Sequence, residues 1–341
     1  MSQSSPQVLL IINPISGVSG KEGLAEHTLS ALAHTGWGIE VAYTTCHGDA
    51  TRLAKDAVRR GFHAVLAAGG DGTVNETAAA LCHSRTRLGI IPCGSGNGLA
   101  RHLGIPIDID DALTIIGRGR HLVCDYAEVN SKPFFCTFGV GFDAEVSWRF
   151  ARQHRRGKLS YIRSTIAEYI RYRPQIYTIR ANGTIVTDKA FLVAVCNASQ
   201  YGNNAYIAPH ASLTDGLLDV TIIHSGSALS TMVAGADLMT GLIDKNAIID
   251  TFRADSLVIE RAADGPAHID GEPIHIDNVM DIKCHHAALS ILTPEEHDHR
   301  HFYPIVTPIS DAIKDMGLSI RHLLPSSFHS ALHHGHKLHK K

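Results

Sequence analysis

Three short apolar runs in the first hundred residues set the pattern of the chain: Val8 to Ile12, Val65 to Ala68 and Leu88 to Ile91. Each is continuous rather than alternating and each ends in turn residues, which predicts strands of a parallel sheet buried on both faces. Ile39 to Thr44 predicts another such strand. Capping residues and helical spacing predict helices from about Lys21 to Ala33, from Asp49 to about Arg60 and from Val74 to Cys82. The alternation reads as at least four β-α units, an α/β layer that ends near residue 122.

Beyond Arg120 the texture changes. Asp125 to Asn130, Lys132 to Thr137, Ile176 to Ala181, Ala190 to Asn197, Leu218 to His224, Ser256 to Arg261, His268 to Ile269 and Asp281 to Leu292 predict an antiparallel sandwich. Leu159, Ile162, Ile166, Tyr169 and Ile170 fall at helical spacing and Pro174 ends that helix. A second helix is predicted over Leu229 to Leu242. The organisation expected is therefore an α/β nucleotide-binding domain over residues 1–122, a β-rich acceptor domain over 123–294, and an extension over 295–341. In that extension Ile313, Met316, Ile320, Leu323 and Leu324 form an apolar stripe, and the last residues are rich in histidine.

A length of 341 residues suits two domains at about 100 to 200 residues each, and 44% hydrophobic residues supply a sizeable core. The formal net charge of -2 gives no electrostatic case for nucleic acid. Val8 to Ile12 is too short for the core of a signal peptide, and no run reaches the roughly 18 apolar residues of a membrane span. The seven cysteines are scattered without a C-x-x-C pair, as expected of reduced thiols. The expectation is a cytoplasmic protein that meets the inner membrane surface from the side. Arg149, Arg152, Arg155, Arg156 and Lys158 form a basic cluster able to face anionic headgroups.

The chemistry gathers where two of the predicted strands end. Ala68-Gly69-Gly70-Asp71-Gly72-Thr73-Val74 breaks into glycines and restarts as a helix, which leaves room for phosphates against bare backbone and the positive end of the helix dipole. Asp71 sits where it could hold a magnesium ion or a bound water, and Thr73 offers a hydroxyl. Gly94, Ser95, Gly96 and Asn97 form a second loop about twenty residues later. Two adjacent strand-to-loop units place both loops at the same carboxyl edge of a parallel sheet, where ligands bind. Asn13, in the turn after the first strand, is a third candidate on the phosphate side. Neither loop fits the dinucleotide or P-loop pattern.

Taken in order, Ile12-Asn13-Pro14 with Ser16-Gly17, GGDGTVNE (69 to 76), PCGSGNGLAR (92 to 101) and Asp270-Gly271-Glu272 resemble the diacylglycerol kinase catalytic-domain family, which includes bacterial lipid kinases, sphingosine kinases and ceramide kinases. GGDGT alone is less specific, since NAD kinases and phosphofructokinases use a similar loop. The resemblance implies ATP and magnesium as cofactors and a lipid hydroxyl as acceptor. It implies a nucleotide contact at Thr44 and a general base at Asp270 or Glu272. It also implies a magnesium ion held by Asp215 with the carbonyls of Ser212 and Leu217. Asp143, after the aromatic and glycine-rich Phe138 to Phe142, is the candidate for the lipid head, and Asp125 matches a further family aspartate near the cleft. Asn97-Gly98 stands where many bacterial diacylglycerol kinases carry Asn-Asp, which is closer to the sphingosine and ceramide kinase branch.

The leading expectation is thus an ATP-dependent lipid kinase acting on diacylglycerol, a sphingoid base or a related lipid. Two other readings stay open on the sequence: a kinase for a soluble acceptor such as NAD, and a non-catalytic regulator that binds lipid or nucleotide. The oligomeric state, a homodimer among the options, is also open.

Overall fold

The computed structural model describes residues 5–15, 23–151, 172–202, 205–243 and 246–294. The turn at Ser16 to Gly20, the helix expected at Leu159 to Ile170, most of the basic cluster and the extension over 295–341 lie outside the described residues.

The three apolar runs and the segment at Ile39 to Thr44 form β1 (Gln7–Ile12), β2 (Gly38–Tyr43), β3 (Ala64–Gly69) and β4 (Arg87–Pro92). They pair in parallel in the order β2, β1, β3, β4. Alternate residues enter different cores. Val8, Leu10 and Ile12 pack with Leu66 and Leu113 on one face, while Leu9 and Ile11 pack with Ala54 and Ala78 on the other. Double-sided burial is why β1, β3 and β4 read as unbroken apolar runs, whereas β2 is a half-buried edge strand that carries Glu40. The helices are α1 (Leu24–Leu32), α2 (Asp49–Arg59), α3 (Asp71–Leu81), the short α4 (Gly98–His102) and α5 (Ile109–Arg118). Asp108 caps α5 by accepting from the amides of Asp110 and Asp111, and Gly119 closes it in the left-handed conformation.

The second half is antiparallel. It comprises β5 (His121–Val129), β6 (Lys132–Phe134), β7 (Thr137–Gly141), α6 (Phe142–Ala151), β8 (Gln175–Ala181), β9 (Thr184–Cys196) and β10 (Leu218–His224). It continues through α7 (Ala228–Thr240), β11 (Ile249–Ala254), β12 (Ser256–Arg261), β13 (Gly265–Ile269), β14 (Glu272–Ile276) and β15 (Val279–Leu292). Inward residues of its strands, among them Val129, Phe138, Tyr177, Val195, Val220, Ile259 and Met280, share one core, which makes this part sandwich-like. Lys132 to Thr137, expected as one strand, breaks at Phe135 and Cys136 into β6 and β7. The edge strands β11 and β14 were not anticipated from the pattern.

The two halves are joined by β15. It pairs with β12 and β5 in the sandwich and, through Ile291 opposite Leu88, runs parallel to β4. Its register against β5 shifts between His285 and Leu289, and Ala287 there adopts φ 51°. That bulge lies where the strand passes from one half to the other.

Candidate active site

The parallel strands end together, and their carboxyl ends carry the first half of the site. Asn13 follows β1, Thr44 follows β2, the first glycine loop follows β3 and the second follows β4. The Asn13 amide N–H donates to the Ala68 carbonyl, and its side-chain Nδ2 donates to Thr73 Oγ1 at 3.0 Å. Thr44 is buried, with its N–H on the Ile12 carbonyl. Thr73 and Val74 are buried in the first turn of α3, while Ser95 is exposed at the tip of the second loop.

The two loops touch main chain to main chain. A Cβ built on Gly94 would stand 2.6 Å from Gly70 Cα, so this approach needs glycine at position 94. Asp71 locks the contact: its Oδ2 accepts from the Asn97 N–H at 2.9 Å and its Oδ1 from the Gly98 N–H at 2.8 Å. Asn97, at φ 52°, closes the second loop on itself by bonding both the N–H and the carbonyl of Gly94. Arg101 adds a bond from Nε to the Gly96 carbonyl. Asp71 therefore spends its carboxylate on backbone, and a cation placed on it would compete with two amides. The first intrahelical bond of α3 runs from the Val74 N–H to the Gly70 carbonyl, and its N-cap, Gly70, offers no side chain to cap it. The amides of Asp71, Gly72 and Thr73 thus form the helix end that favours an anion.

The second half of the site comes from the sandwich. Asp270 (φ 49°) and Gly271 (φ 83°) are the two-residue turn between β13 and β14, a conformation to which Asp-Gly is suited. Only the backbone of Asp270 serves the turn. Its carboxylate reaches inward and accepts from the amides of Phe135, Cys136 and Thr137 at 2.9, 2.8 and 2.8 Å. Burial pushes the Asp270 carboxyl up to about 6 against the pull of those three amides, and the charge on Asp71 adds to the push. Glu272 differs. It is exposed, and its Oε1 would lie 2.8 Å from a Cβ built on Gly72, so its carboxylate rests beside the first turn of α3. The motif pair is thus divided: Asp270 holds the β6–β7 corner and Glu272 faces the glycine loop.

Asp143 lies in the first turn of α6. Its Oδ1 accepts from the Ala144 N–H at 2.8 Å, and its Oδ2 accepts from Tyr201 Oη at 2.7 Å and lies 3.0 Å from His268 Nε2. Gly139 makes the space, since a Cβ there would collide with both His268 Nε2 and Asp143 Oδ2. Asp125 makes a separate set of bonds. Buried on β5, it accepts from the Ala287 N–H in the β15 bulge and from the Gly216 N–H, both at 2.7 Å, and pairs with His286 Nδ1 at 2.8 Å. It ties the bulge to the turn at 212–217 and does not share the partners of Asp143.

In that turn Asp215 Oδ1 accepts from the Leu217 N–H, and Oδ2 lies 3.9 Å from Arg253. Among the described residues no three His, Cys, Asp or Glu side chains converge as a metal site. The set at 212–217 depends instead on two carbonyls and one carboxylate, hard oxygen donors of the type a magnesium or calcium ion takes. Tyr201 and His268 were not anticipated. Their partners are 58 and 125 residues away, so no local spacing marks them.

Residues 7–129 match the model of the diacylglycerol kinase catalytic domain, and residues 136–293 match that of the YegS C-terminal NAD kinase beta sandwich-like domain. A Pectobacterium atrosepticum protein named as a YegS-like lipid kinase is 30% identical over 279 residues, covering 80% of this chain and 91% of that protein. A Bacillus subtilis diacylglycerol kinase is 34% identical over 220 residues, covering 63% of this chain and 72% of its own. A Bacillus anthracis crystal structure whose name gives it as a diacylglycerol kinase superposes with a TM-score of 0.71 at 26% identity, covering 85% of this chain and 98% of its own.

Proposed function

The chain belongs to the diacylglycerol kinase catalytic-domain family and is a lipid kinase; from that premise we propose that it moves the γ-phosphoryl of ATP to a lipid hydroxyl, with Glu272 as the proton acceptor. The observation that carries this reading is the position of the Glu272 carboxylate beside Gly72, at the helix end where phosphates are favoured. The triphosphate lies along the two glycine loops, with its charge against the first amides of α3. Glu272 takes the hydroxyl proton as the lipid oxygen bonds to the γ-phosphorus. The bond from that phosphorus to the β–γ bridging oxygen breaks, and ADP leaves with the electron pair.

Asp71 and Asp270 act by holding the walls. The first keeps the two loops in contact, and the second keeps the β6–β7 corner against the turn that carries Glu272. Asp143 Oδ1, which among the described residues accepts from the Ala144 N–H, is the group for a second polar function on the acceptor. Magnesium has two roles in this reading. One ion would accompany ATP and supply charge to offset its phosphates, and another would be held by Asp215 with the carbonyls of Ser212 and Leu217 as a structural brace. Contact with the membrane is peripheral: no helix among the described residues is long and apolar enough to cross a bilayer. Diacylglycerol, a sphingoid base, ceramide and phosphatidylglycerol all offer a suitable hydroxyl.

The test is incubation of the purified protein with labelled ATP and that lipid panel, with NAD as a soluble control, followed by chromatography. Label is expected in a lipid product. Label in NAD alone, or in no acceptor while ATP still binds, would overturn the reading.

A further inference from the structure

His268 is 1% exposed and has a site partner on each side of its ring. Nδ1 lies 3.4 Å from the Gly271 amide nitrogen, which can only donate. A ring nitrogen that accepts carries no proton, so the neutral ring holds its proton on Nε2, which faces Asp143 Oδ2 at 3.0 Å. Tyr201 donates to the same oxygen and sets its ring edge-on to the imidazole, with centroids 5.6 Å apart. Tyr201 in turn belongs to a segment seated on the second glycine loop. A Cβ on Gly202 would stand 3.4 Å from Gly96, and one on Gly98 would stand 3.8 Å from the Gln200 carbonyl. A chain of contacts therefore leaves the second loop, passes through Tyr201, Asp143 and His268 to Gly271, and returns through Glu272 to Gly72 of the first loop.

We infer that His268 is a positioning residue, whose Nε2–H tautomer ties Asp143 on the acceptor side to the turn that aims Glu272. The inference rests on the kinase reading above. A buried histidine that only filled core volume would face apolar neighbours, whereas both ring nitrogens here address groups of the cleft. The consequence is a division of labour within one ring: the Nε2 bond governs how Asp143 meets the acceptor, and the Nδ1 bond governs the angle at which the turn presents Glu272.

Two variants separate these bonds. In His268→Gln the side-chain amide reaches the place of Nε2 and keeps the link to Asp143 while releasing Gly271. In His268→Asn the shorter side chain keeps an acceptor near Gly271 and releases Asp143. With the lipid acceptor found in the panel, His268→Gln is expected to lower kcat by about tenfold or more with KM for lipid nearly unchanged. His268→Asn is expected to act mainly on KM. Thermal unfolding of each variant checks that the fold persists. Folded variants in which both constants are unchanged, or in which both variants shift them alike, would overturn the inference alone. Absence of transfer by the natural protein would overturn the kinase reading and the catalytic half of the inference with it. Nitrogen NMR of the imidazole in unliganded protein reads the other half. The proton is expected on Nε2, with a resonance that moves in Asp143→Asn, and a proton on Nδ1 overturns the arrangement whatever the activity.

Discussion

Asp71 and Asp270 stand on opposite sides of the cleft, and both give their carboxylates to backbone amides. Asp71 accepts two amides from a loop 26 and 27 residues on, inside one sheet edge. Asp270 accepts three from a corner 133 to 135 residues back, and burial raises its carboxyl to about 6. The first fastens a local pair of turns, and the second fastens parts of the chain that no short-range interaction would bring together. In both cases the acidic residue that a motif would mark for chemistry serves as a clamp. In the proposed reading the chemistry passes to Glu272, a neighbour of the clamp with its carboxylate exposed.

Substitutions can break this contrast. Asp270→Ala strands three inward-facing amides at once and is expected to have the largest effect, a loss of about 3 to 5 kcal/mol in urea unfolding together with activity. Native stability in that variant would mean that the corner holds without its clamp. Glu272→Gln is expected to lower kcat by about two to four orders of magnitude while stability stays within about 0.5 kcal/mol. A substantial kcat in that variant would return the role of proton acceptor to another group. Asp71→Asn places an amide where one of two N–H groups needs an acceptor, at about 1 to 3 kcal/mol, and calorimetry should report weaker ATP binding. The smallest effect is a slope. The folded state keeps a proton on Asp270 up to about pH 6, whereas the unfolded chain releases it near pH 4. Stability from this group is therefore highest at low pH, declines between about 4 and 6 and is level above. Unfolding followed across that range should show the decline, and carbon NMR of the carboxyl should give a midpoint near 6.

The parallel half was legible because three of its strands, β1, β3 and β4, are buried on both faces and its loops announce themselves with glycine. In the antiparallel half two edge strands escaped the pattern. Ile249 to Ala254 and Glu272 to Ile276 are edges, each paired on one side only, and polar residues with Pro273 on an edge hide the period of a strand. The break at Phe135 and Cys136 was hidden for another reason. It depends on the Asp270 carboxylate, which captures the amides at 135 to 137 and takes that corner out of the ladder. Asp125 shows the same limit. The resemblance alone singled it out, and its partners Gly216 and Ala287, through which it fastens a bulge, lie 91 and 162 residues on. Asp-Gly-Glu, which on local grounds reads as a plain hairpin turn, is that turn and a site element together, because left-handed backbone at Asp270 leaves its side chain free to point inward.

Val279–Leu292 is hydrogen-bonded into the sandwich at one end and into the parallel sheet at the other. Opening the halves like jaws at this spine would break the pairing of Ile291 with Leu88. A frame that keeps that pairing leaves substrate entry and product exit to side chains and short loops at the rim. Turnover in such a frame would be paced by small local rearrangements rather than by large swings of whole lobes.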